Sequence, residues 1–166
     1  MEKPFIIDSN FFIQAYRINY PFDVVPSFWV KVKELAEKGL IISIDKVWNE
    51  LHQNKDDLTL WCQENLPNDF FKDTSEIIND YVKVSIWANS MSNHYLPQAL
   101  SQFLDADEAD AWLVAYSIES KNIIVTHETS DLKIQKRVKL PDAANNFGIK
   151  CVTTIEMFRS IGEKFS

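Results

Sequence analysis

Short runs of apolar residues, separated by longer stretches with helical periodicity, are the sequence feature that most constrains this chain. Four runs, at residues 5–7, 40–44, 123–126 and 151–153, each have the length of a buried strand. Strands that are apolar on both faces and alternate with helices are typical of a parallel sheet covered on both sides. We therefore predict an α/β fold, a three-layer αβα sandwich built on a short parallel sheet.

The stretches between these runs predict helices. Pro26 suits the first position of a helix that Gly39 ends, while Asp45 and Thr154 suit helix caps. A long middle stretch, residues 56–103, is also predicted to be helical. The other predicted helices cover residues 26–38, 45–51, 107–120, 141–147 and 154–161.

Composition limits the chain to one globular domain and removes several function classes. The 166 residues, 46% of them hydrophobic, fit a single domain that we place at residues 1–166. The three glycines lie far apart, which excludes a glycine-rich loop for binding a nucleotide phosphate. The two cysteines are too few and too far apart for a disulfide framework or a thiolate zinc site.

Location and charge give two further expectations. The sequence shows no signal peptide and no apolar run as long as a membrane span, so we expect a cytoplasmic protein without a membrane partner. The formal net charge is −7, whereas a protein that holds nucleic acid by charge alone is normally basic. If this chain binds nucleic acid, a metal ion on clustered carboxylates would supply positive charge.

Acidic residues follow the predicted strands closely. Asp8 ends the first run, Glu50 lies just over one turn into the helix after the second, and Glu128 and Asp131 follow the third. Asp110 lies near the start of the helix that precedes the third run. Because the carboxyl ends of parallel strands meet at one edge of a sheet, we expect these side chains to converge there.

A group of converging carboxylates favours a bound cation. Neighbouring carboxylates raise one another's pKa values, and a divalent cation offsets their repulsion. Hard oxygen ligands suit Mg²⁺ or Mn²⁺, whereas three histidines and no close pair of cysteines argue against zinc. The sequence therefore predicts a site for Mg²⁺ or Mn²⁺.

Each acid also has an ordinary structural interpretation. Asp8 suits a turn, Glu50 a solvated helix face and Asp131 a helix cap. Asp107 and Asp110, three residues apart on one predicted helical face, would complement the dipole at a helix start. The joint placement of the acids, rather than any one of them, favours a functional site.

Four segments, in this order, resemble a known family. They are Phe5-Ile6-Ile7-Asp8-Ser9-Asn10, Glu50-Leu51, Asp110-Ala111-Trp112-Leu113-Val114-Ala115 and Ile124-Val125-Thr126-His127-Glu128. Together they resemble a PIN domain, within a PIN-like branch whose members end the corresponding strand in Val-Thr-His-Glu. No single segment is specific, whereas the ordered set is fairly specific and extends over nearly the whole chain.

The resemblance implies a metal-dependent ribonuclease of the kind found in the VapC toxins of toxin–antitoxin pairs. It assigns the metal to Asp8, Glu50, Asp110 and Glu128. It also makes Asp131 a further catalytic acid, which we expect to orient the attacking water.

Residues beside these acids are expected to assist them. Asn10 and Thr126 are expected to orient the carboxylates. His127 is interpreted as a loop histidine ahead of a ligand, and the five tryptophans as core or interface residues. A basic stretch is expected to receive the RNA backbone, with a solvated helix face as the open alternative. Its residues are Lys133, Lys136, Arg137 and Lys139.

Partners and competing functions stay open. The resemblance suggests a small antitoxin protein and a second copy of the chain as protein partners. A catalytically degenerate PIN-like module with a binding or regulatory role is the first alternative function. A metal-dependent phosphatase with a strand-end nucleophile is weaker, because Asn10 stands where its acid–base Asp is needed.

Overall fold

One parallel sheet organises the part of the chain that the computed structural model describes, residues 3–163. Residues 1–2 and 164–166 of the predicted domain lie outside the described residues. Helices flank the sheet, and the predicted α/β fold with three αβα layers is confirmed. The described strands are β1 (Phe5–Ile7), β2 (Ile41–Ile44), β3 (Phe71–Lys72), β4 (Ile124–Val125) and β5 (Cys151–Val152).

The order of the strands determines where a ligand would bind. The order is β3-β2-β1-β4-β5, and every neighbouring pair is parallel. The chain moves outward from β1 to β2 and β3, then continues on the other side of β1 with β4 and β5. Such sheets bind ligands at the carboxyl ends of the strands, beside the point where the order reverses. That point lies between β1 and β4, directly before Asp8 and Thr126.

The central strand is buried on both of its faces. Ile6 pairs with Ile42 on one side and with Ile124 on the other, and neither Ile6 nor Ile7 has exposed surface. The hydroxyl of Ser43, the polar side chain in β2, donates to the carbonyl oxygen of Ile7 at 2.6 Å. This two-sided burial explains why β1 is uniformly apolar in sequence.

The helices begin and end close to their sequence signals. Pro26 occupies the first turn of α2, and Gly39 follows the end of that helix at φ +72°. No helix within residues 3–163 is long and apolar enough to cross a membrane. The described helices are α1 (Ser9–Gln14), which continues into a π-helical turn at Ala15–Asn19, α2 (Pro26–Glu37), α3 (Asp45–Gln53), α4 (Asp57–Asn65), α5 (Ile78–Ser90), α6 (Pro97–Phe103), α7 (Asp110–Ser120), α8 (Leu140–Asn146) and α9 (Thr154–Ile161).

The middle stretch, residues 56–103, was predicted to be helical, and this prediction is wrong in part. It contains β3, which pairs with β2 at the edge of the sheet. Two residues are too few to show a strand periodicity, so the sequence pattern could not reveal this strand. Asp45 anchors the segment that follows β3, because its carboxylate accepts the backbone N–H of Thr74 at 3.1 Å and the hydroxyl of Thr74 at 2.8 Å.

Helix starts and caps also differ from the prediction. Asp45 is the first residue of α3 and not its cap, because Ile44 holds the cap position. Helix α7 begins at Asp110 and not at Asp107, because Asp105 closes a turn by accepting the N–H of Asp107 at 2.9 Å. Asp107 and Asp110 therefore do not share a helical face. Thr153, rather than Thr154, caps α9, since its hydroxyl accepts a backbone N–H of the first turn at 3.2 Å.

We expect Asp45→Ala to lower the free energy of unfolding by about 1–3 kcal/mol, because it leaves the buried Thr74 side chain and N–H without their acceptor. Urea denaturation measures this change. Asp73→Ala is the matched control, since within residues 3–163 the exposed Asp73 hydrogen-bonds only to Ser75, and its loss should cost about 0.5 kcal/mol or less. Equal losses in the two variants would contradict the anchoring role.

Candidate functional site

Asp8 lies at the centre of the candidate site. It follows β1, and its backbone N–H donates to the carbonyl oxygen of Val125 in the neighbouring strand β4 at 3.0 Å. Its side chain makes no capping bond to α1, although Asp8 holds the cap position of that helix. Instead Oδ2 accepts the hydroxyl of Thr126 at 2.8 Å and the amide of Asn10 at 3.4 Å. The predicted roles of Thr126 and Asn10 in orienting a carboxylate agree with these contacts.

Glu50 reaches the same place from α3. The hydroxyl of Ser9 lies 2.7 Å from Glu50 Oε2 and 3.3 Å from Asp8 Oδ1, so Ser9 links the two acids. The other oxygen, Oε1, accepts the backbone N–H of Ala109 at 2.7 Å, immediately before α7. Glu50 is therefore not a residue of a solvated helix face, which was its ordinary structural interpretation. The sequence analysis missed Ser9, and its position directly after Asp8 was the available signal.

Asp110 and Glu128 complete a group of four acids, together with a cation that the sequence analysis did not place there. The guanidinium of Arg137 contacts Glu128 and lies 3.7 Å from Asp110 Oδ2. Glu128 Oε2 also accepts the backbone N–H of Leu140, the first residue of α8, at 2.7 Å. Its side chain is only 9% exposed, against 20% for Asp110 and 50% for Arg137. Glu128 thus ties the loop after β4 to the start of α8.

The four acids lie close enough to perturb one another. Burial raises the pKa of Asp8 to about 6; the hydrogen bond from Thr126 opposes this rise, and the charges of Glu50 and Glu128 add to it. Burial also raises the pKa of Asp110 well above its usual range, with further increases from Asp8, Glu128 and Glu50 and an opposing effect of Arg137. The structure therefore brings together Asp8, Glu50, Asp110 and Glu128.

Glu50 shows the same balance of burial and hydrogen bonding. Burial raises the pKa of its carboxyl group, and the bonds from Ser9 and the N–H of Ala109 oppose that rise. A charged Glu108 nearby raises it further. Burial is the largest cause of the raised pKa of Asp8, Glu50 and Asp110. The site is therefore a partly closed acidic cleft and not an open charged surface.

Asp131 and Asp107 lie apart from this group. Both are exposed, and the carboxylate of Asp131 accepts the N–H of Lys133 at 3.1 Å in a turn. No hydrogen bond within residues 3–163 joins Asp131 to the four acids, so a catalytic role for it stays a prediction. Asp142 holds this loop instead, by accepting the hydroxyl of Ser130 and the N–H of Asp131.

The basic stretch is not a helix face. Residues 126–139 have no regular secondary structure, and within them Lys133 and Lys136 are exposed. Arg137 turns into the acidic group. His127 is half-buried, its Nε2 lies 3.4 Å from the hydroxyl of Thr154, and burial lowers its pKa. These contacts agree with its interpretation as a loop histidine.

The tryptophans lie where the sequence analysis expected them. Trp29 is 3% exposed in the core, and the others are partly buried against it. Trp112, two residues after Asp110, stacks on Tyr81 at 4.1 Å and has the ammonium of Lys46 4.9 Å from its ring centre. Both partners contact its ring, so Trp112 does not offer an open platform for a base.

The donor set fits a hard divalent cation in its chemistry. Carboxylate oxygens, four groups of which converge here, are the ligands that Mg²⁺ and Mn²⁺ prefer. Their oxygens do not already form a metal shell, since within residues 3–163 no three His, Cys, Asp or Glu side chains are arranged as ligands. The oxygens of Glu50 face Ser9 and the start of α7, and those of Glu128 face Arg137 and the start of α8. Metal binding would require some of these contacts to be exchanged.

Comparison of the sequence with known families gave a match over nearly the whole chain. Residues 5–165 match the family described as Domain of unknown function (DUF4411). Searches of curated proteins and of solved structures gave no match.

We expect metal-free protein to lose stability as pH rises from about 4 to about 6. Because burial raises the pKa of Asp8 from 3.8 to about 6, ionisation of Asp8 at higher pH favours the unfolded state. Asp8→Asn cannot ionise and still accepts the Thr126 hydroxyl. In EDTA at pH 7.5 it should exceed wild type in unfolding free energy by roughly 1–3 kcal/mol.

Urea denaturation across pH 4 to 7.5 checks this expectation. The margin between Asp8→Asn and wild type should narrow as pH falls toward 4. Asp131→Asn, which neutralises an exposed acid outside the group of four, should follow the wild-type profile. An Asp8→Asn protein that is less stable than wild type at pH 7.5 would show that the charged form of Asp8 is the stabilising one.

Proposed function

The chain belongs to the DUF4411 family, and for this member we propose a metal-dependent endoribonuclease that hydrolyses RNA phosphodiester bonds. The observation that carries the proposal is the convergence of Asp8, Glu50, Asp110 and Glu128 where the strand order reverses between β1 and β4. The resemblance of the surrounding segments to PIN domains supports the same activity.

Asp8, Asp110 and Glu50 would approach the proposed metal ion from different elements of the fold. A divalent cation, Mg²⁺ or Mn²⁺, would supply an acidified water and charge for the leaving oxygen. Asp8 would bind the cation in a fixed orientation, because Thr126 and Asn10 hold its Oδ2. Asp110 and Glu50 would approach from the start of α7 and from α3, and the hydrogen bonds from Ser9 and from the N–H of Ala109 would resist rotation of the Glu50 carboxylate.

The RNA would approach over the irregular segment beyond Glu128. Lys133 and Lys136 are exposed there, and Lys139 is half-buried. Ammonium groups in this position suit contacts to phosphate oxygens, which orient a nucleic acid without reading its sequence. Local positive charge of this kind would offset the net charge of −7 where the substrate binds.

The biological setting is part of the proposal. A nuclease of this kind would act in the cytoplasm as the toxin of a toxin–antitoxin pair. Its partner would be a small antitoxin whose segment covers the acidic cleft, with a basic side chain entering the carboxylates. Self-association as a homodimer is included in the proposal through the PIN resemblance alone.

A binding or regulatory module is the second candidate function. The observation in its favour is that Ser9, Arg137 and two backbone N–H groups already satisfy oxygens of Glu50 and Glu128. Such contacts would stabilise a domain that never binds a metal. A phosphatase has less support, because Asn10 donates its amide to Asp8 and has no proton to exchange as an acid.

We expect Asp110→Ala and Glu50→Ala to abolish Mn²⁺-dependent cleavage of RNA while leaving the fold intact. The loss should exceed the roughly 10- to 100-fold that removal of an outer partner of a metal ligand costs. Gel analysis of a labelled RNA pool with Mn²⁺, and with EDTA as a blank, measures cleavage. Asp107→Ala is the matched control, since this exposed acid lies three residues before Asp110 and outside the site.

Calorimetry with Mn²⁺ and Mg²⁺ on wild type and Asp110→Ala separates the two candidate functions. Binding that disappears in the variant supports the metal site. No binding to wild type, with circular dichroism showing a folded protein, would favour the binding module. Full cleavage by either alanine variant would rule out the assignment of these acids.

Charge reversal at the basic segment tests the RNA path. We expect Lys133→Glu with Lys136→Glu to weaken binding of a non-cleavable 2′-O-methyl RNA by about tenfold or more at low salt. The slope of log affinity against log salt should fall by about 2. Fluorescence anisotropy measures both quantities. Lys38→Glu with Lys150→Glu is the charge-matched control, since these two lysines lie before β2 and β5, at the amino ends of the strands. An equal loss of RNA affinity in this control would remove the basic segment from the binding groove.

A further inference from the structure

Arg137 is a cation that lies within the acidic cleft, beside Asp110 and Glu128. Its guanidinium contacts Glu128 and lies 3.7 Å from Asp110 Oδ2. Within residues 3–163 it is the single Lys or Arg side chain in ion-pair contact with the four acids. The chain therefore brings its own positive charge into the cleft.

One guanidinium does not neutralise this group. Within residues 3–163 its ion pairs reach Asp110 and Glu128, and no Lys or Arg side chain forms an ion pair with Asp8 or Glu50. A divalent cation carries twice the charge and binds carboxylate oxygens directly, so it interacts more strongly with the same acids. The cleft thus favours exchange of the guanidinium for a stronger cation.

The two cations cannot share the oxygens. Arg137 faces Asp110 Oδ2 and Glu128 Oε1. A metal ion bound by both acids would need oxygens of the same two carboxylates. Two positive charges about 4 Å apart repel each other, most strongly where water is excluded. Occupancy by the guanidinium and by a metal ion are therefore alternatives.

Arg137 is also able to leave without disturbing packed atoms. Its side chain is half-exposed, and its backbone belongs to the irregular segment between β4 and α8. A small cleft lined in part by Gln102, Glu108 and Asp110 lies against it. Glu128 keeps its second bond, to the N–H of Leu140, when the guanidinium moves away.

We propose that Arg137 is a built-in counter-cation that holds the carboxylates of the metal-free site and competes with the divalent ion for Asp110 and Glu128. The inference rests on the proposed metal site. It assigns Arg137 to regulation of metal loading, in contrast to the neighbouring Lys133 and Lys136, which lie exposed in the same segment. Metal binding would require this ion pair to break.

Calorimetric titration with Mn²⁺ tests the competition at constant pH and ionic strength. Arg137→Gln removes the charge and keeps most of the side-chain length, and it should bind Mn²⁺ about tenfold more tightly than wild type. Arg137→Lys keeps a positive charge and should stay within about threefold of wild type. Lys136→Gln, the adjacent exposed cation, is the matched control and should also stay within about threefold.

A second measurement follows Arg137 in the unaltered protein. The sequence has three arginines, Arg17, Arg137 and Arg159, so their side-chain Nε–Hε signals are few and can be assigned by substitution. Titration with Mg²⁺ should shift the Arg137 signal in step with metal binding. The exposed Arg17 and Arg159 are internal controls whose signals should not follow the metal.

The outcomes distinguish this inference from the proposed function. Tighter Mn²⁺ binding by Arg137→Gln together with a metal-dependent Arg137 signal supports both. Mn²⁺ binding to wild type with equal or weaker binding by Arg137→Gln, or with an unmoved Arg137 signal, overturns the competition and leaves the metal site standing. No Mn²⁺ binding to wild type or to Arg137→Gln overturns both. Binding by Arg137→Gln alone supports the inference, since the guanidinium then excludes the metal.

Discussion

A carboxylate buried at the end of the central strand is the constraint on which this structure depends. Removing a carboxylate from water is costly unless donors replace the lost solvent, and Asp8 is only 1% exposed. Its principal donor, the hydroxyl of Thr126, belongs to the end of the next strand and reaches Asp8 only when β1 and β4 are paired in register. Correct pairing of the sheet and satisfaction of the buried acid are therefore one condition.

The other acids extend this dependence to the helices. Glu50 joins α3 to the start of α7 through the N–H of Ala109, and Glu128 joins the loop after β4 to the start of α8. Each carboxylate is both a member of the candidate site and a connection between elements. Substituting such an acid changes packing as well as chemistry, so loss of activity carries information only when the fold is checked at the same time. Natural sites often combine high local cost with precise placement in this way.

The sequence identified the fold and the four acids because both depend on local patterns. Apolar runs predicted β1, β2, β4 and β5, and the rule that ligands bind at strand ends directed attention to Asp8, Glu50, Asp110 and Glu128. That the acids converge is an observation of the structure, whereas their metal and their activity remain proposals. The PIN resemblance likewise finds neither support nor opposition in the family match.

What the sequence could not show depends on contacts between distant residues. Arg137 was grouped with the lysines around it, since nothing local distinguishes a side chain that turns inward from one that stays in solvent. Ser9 and Asp142 are polar residues whose roles appear only when Glu50 and Ser130 are brought beside them. Strand β3 exists because β2 offers it an edge, and Asp45 holds the chain there from 29 positions away in sequence.

The two outer strands, β3 and β5, are each two residues long. A sheet edge recruits another chain through a row of unpaired N–H and C=O groups, and the strength of that recruitment grows with the length of the row. Edges this short offer almost no template for an added strand. Within residues 3–163, the surfaces open to another chain are therefore made of side chains on helices and loops rather than of unpaired strand backbone.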